Sequence, residues 1–95
     1  MTADQTLSPP TAEQIREALG GFLRERVQSE VAPDQDLFKS GLVSSMFAMQ
    51  LVVHLEEQYD IAIVGPDLKL DSFRTIDAMT ELVLRLTAAK EAGGV

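Results

Sequence analysis

Only one stretch of this sequence, Ile61-Ala62-Ile63-Val64, has the composition of a β-strand, and Gly65 and Pro66 end it at once. With no second strand to pair with, it reads as an extended loop, and the chain must bury its apolar residues through helices. The spacing elsewhere agrees. Thr11 followed by Gln14 fits a capping box, and Ile15, Ala18, Leu19, Phe22, Leu23 and Val27 recur at helical intervals, with Glu13, Arg16, Glu17, Arg24 and Glu25 largely opposite. This predicts a first helix over 11–28, although Gly20 and Gly21 each weaken it by about 1 kcal/mol relative to alanine and leave room for a bend or an early break. A second helix is expected over 45–59, with Met46, Met49, Leu51, Val52, Leu55 and Tyr59 as its buried stripe. Residues 68–73 have room for a turn or two. Thr75 then caps a last helix over 75–88 built on Ile76, Met79, Leu82, Val83 and Leu86.

The fold class that follows is all-α: a small four-helix bundle of three principal helices plus one short helix, with a long first loop. Residues 1–10, ending in Pro9 and Pro10, read as a flexible tail, 11–88 as the domain, and 89–95 as a second tail that frays. Between Ser29 and Ser44 the periodicity fades into turn residues, while Val31, Leu37, Phe38 and Leu42 remain as apolar anchors. A loop this long in a small domain is usually functional. Asp34-Gln35-Asp36 resembles the start of a calcium loop but lacks the glycine and the later bidentate glutamate that such a loop needs.

Composition removes several function classes. At 95 residues a deep catalytic cavity is not expected. With 15 acidic against 8 basic residues and a formal charge of −7, nucleic acid and anionic membrane surfaces are poor partners, and proteins with basic docking surfaces are good ones. There is no cysteine, hence no disulfide and no thiolate metal site, and no apolar run of about 18 residues that could span a bilayer. The first ten residues lack the basic and apolar regions of a secretory signal, so the expected location is cytoplasmic.

Self-contained catalysis fails on geometry. The single histidine, His54, would have to serve Ser45, yet nine residues along one helix separate them by about 13 Å, where a catalytic hydrogen bond spans about 3 Å. No phosphate-binding glycine loop is present, and no metal ligand set or catalytic residue is expected.

What remains is "GLVSSMF", residues 41–47, with two serines at the start of the second helix. Either hydroxyl could cap the helix, and either could be presented to another enzyme. The exposed N–H groups and the helix dipole favour a negative charge there, so a phosphate ester on a serine at this place would be tolerated.

Together with the helical layout and the long first loop, "DLFKSGLVSSMFAMQLVVHLEEQYDIAI" resembles the acyl carrier protein family, including its aminoacyl and peptidyl carriers, over about Thr11–Leu86. "DSFRTIDAM" at 71–79 is similar to that family's short third helix leading into the fourth. The resemblance implies 4′-phosphopantetheine, derived from coenzyme A, on a serine within an Asp-Ser-Leu type motif. Counting back from Leu55, Glu56, Glu57, Tyr59, Asp60, Ile61 and Ile63, which match a later family pattern, assigns that role to Ser45 rather than Ser44. Ser44 stands where the family usually carries aspartate. A hydroxyl can still cap the helix but supplies no carboxylate for a modifying transferase.

The implied partners are a phosphopantetheinyl transferase, an adenylating ligase that loads an acyl or aminoacyl group, and a downstream transferase or synthase. These would visit a monomer. Docking is expected through Leu42, Ser44, Met46, Phe47, Gln50, Val53, His54 and Glu57, unless Phe47 or Val53 folds inward. "LF-SGL" before the serines is closer to aminoacyl or peptidyl carriers than to the bacterial fatty-acid type, pointing to amino acid or specialised acyl cargo. The alternative is an unmodified helical module that binds partners through the second helix.

Overall fold

The structure is a computed structural model that describes residues 10–93. Among them there are three α-helices and no β-strand: α1 (Ala12–Val27), α2 (Ser45–Tyr59) and α3 (Ile76–Gly93), with single 3-10 turns at Gly65–Asp67 and Leu70–Phe73. The expected tail over 1–10 lies outside the described residues except for Pro10.

Capping follows the sequence closely. Thr11 and Gln14 exchange both bonds of the capping box, Gln14 N–H to Thr11 Oγ1 at 3.1 Å and Thr11 N–H to Gln14 Oε1 at 3.0 Å. Ala78 N–H donates to Thr75 Oγ1 at 2.9 Å at the start of α3. α1 and α2 both end on a left-handed residue that is not glycine, Gln28 (φ 56°) and Asp60 (φ 54°), whose N–H closes on the helix's last free carbonyls.

α3 is the central element, packing on α1, α2 and the second 3-10 turn. The core joins Ile15, Leu19 and Leu23 of α1 to Leu51, Val52 and Leu55 of α2 and to Ile76, Met79, Leu82 and Val83 of α3. Leu37 and Val43 of the long loop, Ile61, Ile63 and Phe73 complete it. Among the described residues the one buried polar side chain, Thr80, donates its hydroxyl to Ile76 O at 2.8 Å, and no buried side-chain nitrogen or oxygen is left without a partner.

The long loop is fixed by its backbone as well as its apolar anchors. Leu37 N–H donates to Arg74 O at 2.8 Å and Asp77 N–H to Pro33 O at 3.0 Å, tying the loop to the start of α3. Asp36 accepts from the N–H groups of Phe38 and Lys39 at 3.1 and 2.8 Å, and Arg74 bridges it at 3.2 Å while holding Asp71 at 2.8 Å. Gly41, at φ 79°, makes the turn that delivers the chain to α2.

Residues 61–64 alternate as a half-buried strand would, Ile61 and Ile63 inward and Ala62 and Val64 outward. In place of a partner strand, Glu56 accepts the Ile63 N–H at 2.8 Å. The extended-loop reading therefore holds, with a helix carboxylate doing what a second strand would have done.

Four expectations need correction. Met46 and Met49 are not core: they are 80% and 60% exposed, because the buried stripe of α2 is Ala48, Leu51, Val52 and Leu55, at intervals of three and four, and the methionines fall outside it. Ala18 is likewise exposed on α1. The short helix expected over 68–73 is one 3-10 turn, Leu70–Phe73, since Phe73 alone is buried there and anchors it without a second turn. α3 runs on to Gly93, past the end expected near 88, with Lys90 reaching back to donate to Asp60 O at 2.8 Å and to pair with its carboxylate. Gly20 and Gly21 do not break α1.

Candidate functional site

The loop that precedes α2 decides what its two serines do. Ser44 is extended (φ −91°, ψ 166°), and its Oγ accepts the Phe47 N–H at 3.2 Å while its carbonyl takes the Ala48 N–H at 3.1 Å. It is the N-cap, which leaves Ser45 free of that duty. Ser45 is the first helical residue and is exposed, so its hydroxyl stands at the positive end of α2 beside the N–H groups of Ser45 and Met46, which the cap does not use. No acidic residue lies in that first turn.

A groove of about 220 Å³ opens beside Ser45, between α2 and the segment after it. Ser45, Ala48, Met49 and Val52 form one wall; Leu68, Lys69, Leu70 and Phe73 form the other. Leu68 and Leu70 are 50% and 48% exposed, so the far wall presents apolar side chains to solvent. A linear group attached at Ser45 by a phosphodiester would find there a helix N-terminus for its charge and, apart from Lys69, an apolar channel for its stem. The residues fit 4′-phosphopantetheine.

A second groove runs along the other side of α2, lined by Phe22 and Arg26 of α1 and by Met49, Gln50, Val53, His54 and Glu57 of α2. It gathers four of the eight residues expected to dock partners. Val53 is 50% exposed and Gln50 and Glu57 are exposed, whereas Phe47 and His54 are half-buried against Phe22. Phe47 stacks with Phe22 at a centroid separation of 6.3 Å, and the His54 ring lies on Phe22 at 3.9 Å. Leu42 packs partly against the core, and Met46 stands most exposed of the large apolar side chains among the described residues. Phe47 thus turns inward in part and Val53 does not.

His54 lines a different groove from Ser45, and its imidazole is held below the usual histidine range, first by burial and then by the Arg26 charge, with Glu57 opposing. Among the described residues no three His, Asp or Glu side chains come together as a metal site, and no helix is long and apolar enough to cross a membrane.

Sequence reasoning missed Met49 on the α2 face, Phe22 and Arg26 on the α1 side of the same groove, and the whole Leu68-Lys69-Leu70 wall beside Ser45. The signal for Met49 was present: it lies three residues after Met46 and four before Val53, the spacing of a single face. The wall had no such signal, because nothing in a 3-10 segment's sequence says which helix it covers.

Comparison with known proteins agrees with this geometry. The family model described as "Phosphopantetheine attachment site" matches residues 13–83, most of the chain. The chain is similar to the D-alanyl carrier protein of Lactobacillus delbrueckii subsp. bulgaricus, 32% identical over 53 residues that cover 56% of this chain and 66% of the relative. The D-alanyl carrier proteins of Streptococcus sanguinis and Streptococcus mutans are 34% and 32% identical over 56 residues, covering 59% of this chain and 71% of each relative. The match thus spans about two thirds of those curated relatives. An all-α chain whose second helix begins on a capped, exposed serine, and whose sequence fits that model from α1 into α3, belongs to the phosphopantetheine attachment-site family, the carrier domains that hold 4′-phosphopantetheine covalently.

Proposed function

We propose that Ser45 is the attachment residue and that the chain is an aminoacyl carrier, with D-alanine the first cargo to test. The observation that carries this is the division of labour between the serines: Ser44 Oγ caps α2 at 3.2 Å, and the Ser45 hydroxyl stands exposed one residue on. Ser45 Oγ attacks the β-phosphorus of coenzyme A, gives its proton to a base of the transferase, and adenosine 3′,5′-bisphosphate leaves. When bound, the group supplies a terminal thiol that holds cargo as a thioester. The helix N-terminus stabilises the new negative charge.

In this reading the domain performs no chemistry itself. It presents Ser45 to a phosphopantetheinyl transferase, receives cargo from an adenylating ligase and delivers it to a downstream transferase or synthase, in the cytoplasm and as a monomer. Partners dock on the exposed face of α2, through Met46, Gln50, Val53 and Glu57, with Ser44 exposed at its start and Leu42, Phe47 and His54 half-buried behind them. The 3-10 turn Leu70–Phe73 takes the place of the short third helix of a four-helix carrier. The D-alanyl relatives and the SGL sequence before the serines support amino acid cargo.

Coexpression with a broad-specificity transferase, followed by intact mass and peptide mapping, tests the assignment. One phosphopantetheinyl group on the peptide containing Ser45 is expected. Loading of D-alanine by an adenylating ligase is then read as a second mass increment. No gain with any transferase would leave the unmodified interaction module as the better reading.

A further inference from the structure

The groove beside Ser45 contains a single charged side chain, Lys69, among otherwise apolar or hydroxyl-bearing residues. In a chain with nearly twice as many acids as bases, a lysine is expected to find a carboxylate. Five of the eight basic residues do: Arg16, Arg24, Arg74, Arg85 and Lys90 all take part in ion pairs. Lys69 makes no ion pair among the described residues: an aspartate lies two positions to either side, and Lys69 only helps to lower the Asp67 carboxyl from beyond ion-pair distance, as the weakest of the influences on it. Each of the two aspartates is held by an arginine, Asp67 by Arg85 at 2.7 Å and Asp71 by Arg74 at 2.8 Å. Across the groove, the first turn of α2 carries no acid that could compensate it.

We propose that Lys69 is the cationic partner of the phosphodiester at Ser45, so that the attached arm is drawn into the groove between α2 and the Leu68–Phe73 segment rather than leaving it for solvent. This rests on the Ser45 reading and adds a positioning residue to it. The α2 N-terminus meets the phosphodiester from one side with N–H donors, and Lys69 meets it from the other with a mobile ammonium. The apolar remainder of the groove, Met49, Val52, Leu70 and Phe73, then covers the stem. An exposed pair of this kind is weak and salt-sensitive, so its consequence is orientation rather than stability.

The test uses the full chain after modification, as wild type, Lys69→Gln and Lys69→Arg. Intact mass first establishes that each carries the group. The expected result has two parts. The ³¹P resonance of the phosphodiester shifts with added salt in the wild type and in Lys69→Arg but loses that dependence in Lys69→Gln. Nuclear Overhauser contacts between the arm's methyl groups and Leu70 or Met49 fall at least twofold in Lys69→Gln only. Inorganic phosphate added to the unmodified wild type serves as the free-ion control and is expected to leave the Lys69 signals unmoved. An unchanged ³¹P profile and unchanged arm contacts in Lys69→Gln, with the mass gain present, overturn the role of Lys69 while leaving Ser45 intact. Absence of the mass gain in the wild type overturns both.

Discussion

The imidazole of His54 lies flat on the ring of Phe22, with centroids 3.9 Å apart and planes inclined by 14°, and Arg26 sits over the same ring at 4.7 Å. This stack joins α1 to α2 behind the proposed docking face. Because burial, then Arg26, lowers the His54 pKa below its ordinary 6.5, the neutral ring is the favoured folded form. The unfolded chain binds more protons between the folded value and 6.5, so this contribution is fully present above 6.5 and is lost as pH falls through the folded value. The melting temperature is expected to drop on acidification through that window, and His54→Gln to flatten the drop. An NMR titration should give a pKa below 6.5 in the wild type and a rise toward 6.5 in Phe22→Ala. A wild-type value at or above 6.5 would show that the stack does not shield the ring.

The two serines have separable roles. Ser45→Ala should abolish phosphopantetheinylation while leaving the melt within about 0.5 kcal/mol of wild type, as for a surface change away from caps and core. Ser44→Ala should retain the acceptor but lose about 0.5–2 kcal/mol with the Phe47 cap. Ser44→Asp keeps the cap and should speed modification by a generic transferase. Intact mass over time, with a melt of each variant, checks all three, and modification of Ser45→Ala but not Ser44→Ala would move the site by one residue.

The two faces of α2 should respond oppositely to substitution. Leu51 is fully buried, and Leu51→Ala should cost about 2–5 kcal/mol. Met46→Gln and Met49→Gln, on the exposed side, should stay within about 0.5 kcal/mol. Denaturant melts distinguish the two, and a loss of several kcal/mol in either methionine variant would return it to the core.

The long loop depends on the charge of Asp36. Its carboxyl is held below the ordinary 3.8, mainly by the Lys39 N–H and further by Arg74, against some desolvation. Asp67 and Asp60 are lowered through Arg85 and Lys90. Stability from these groups is present above 3.8 and lost as pH falls through the folded values. Asp36→Asn keeps an oxygen for the two N–H groups and removes only the charge, so it should lower the melting temperature at neutral pH and shallow the acid limb. A melt that tracks wild type at both ends would assign the loop's order to Leu37 and the backbone bonds alone.

Much of this was legible in the sequence because caps and stripes are local. Thr11 and Gln14, Ser44 and Thr75 announce their helix starts within three residues, and Leu51, Val52 and Leu55 repeat at the period of the helix they form. That Met46, Met49 and Val53 share one face of α2 was legible from their spacing, but that this face is the exposed one was not, for the opposite reason. α2 is apolar on more than one face, so periodicity could not say which stripe meets α3. The last turns of α3 are tied back by Lys90 reaching Asp60, and the wall of the Ser45 groove is set by where Phe73 anchors a 3-10 turn. Both relations join residues far apart in sequence, and no local pattern encodes them.

Gly20 and Gly21 lie in consecutive positions of α1, and a methyl group built on either would meet no atom within 4 Å. Packing therefore does not require them, and the chain retains a softness that two alanines would remove, at a gain of up to about 1 kcal/mol each. Amide hydrogen exchange in the interior of α1, away from its ends, should be fastest around this pair. Since Phe22 follows directly, each such opening would lift its ring from His54 while α2 stays folded, so the α1 wall of the groove they line can loosen without disturbing the helix that begins at Ser45.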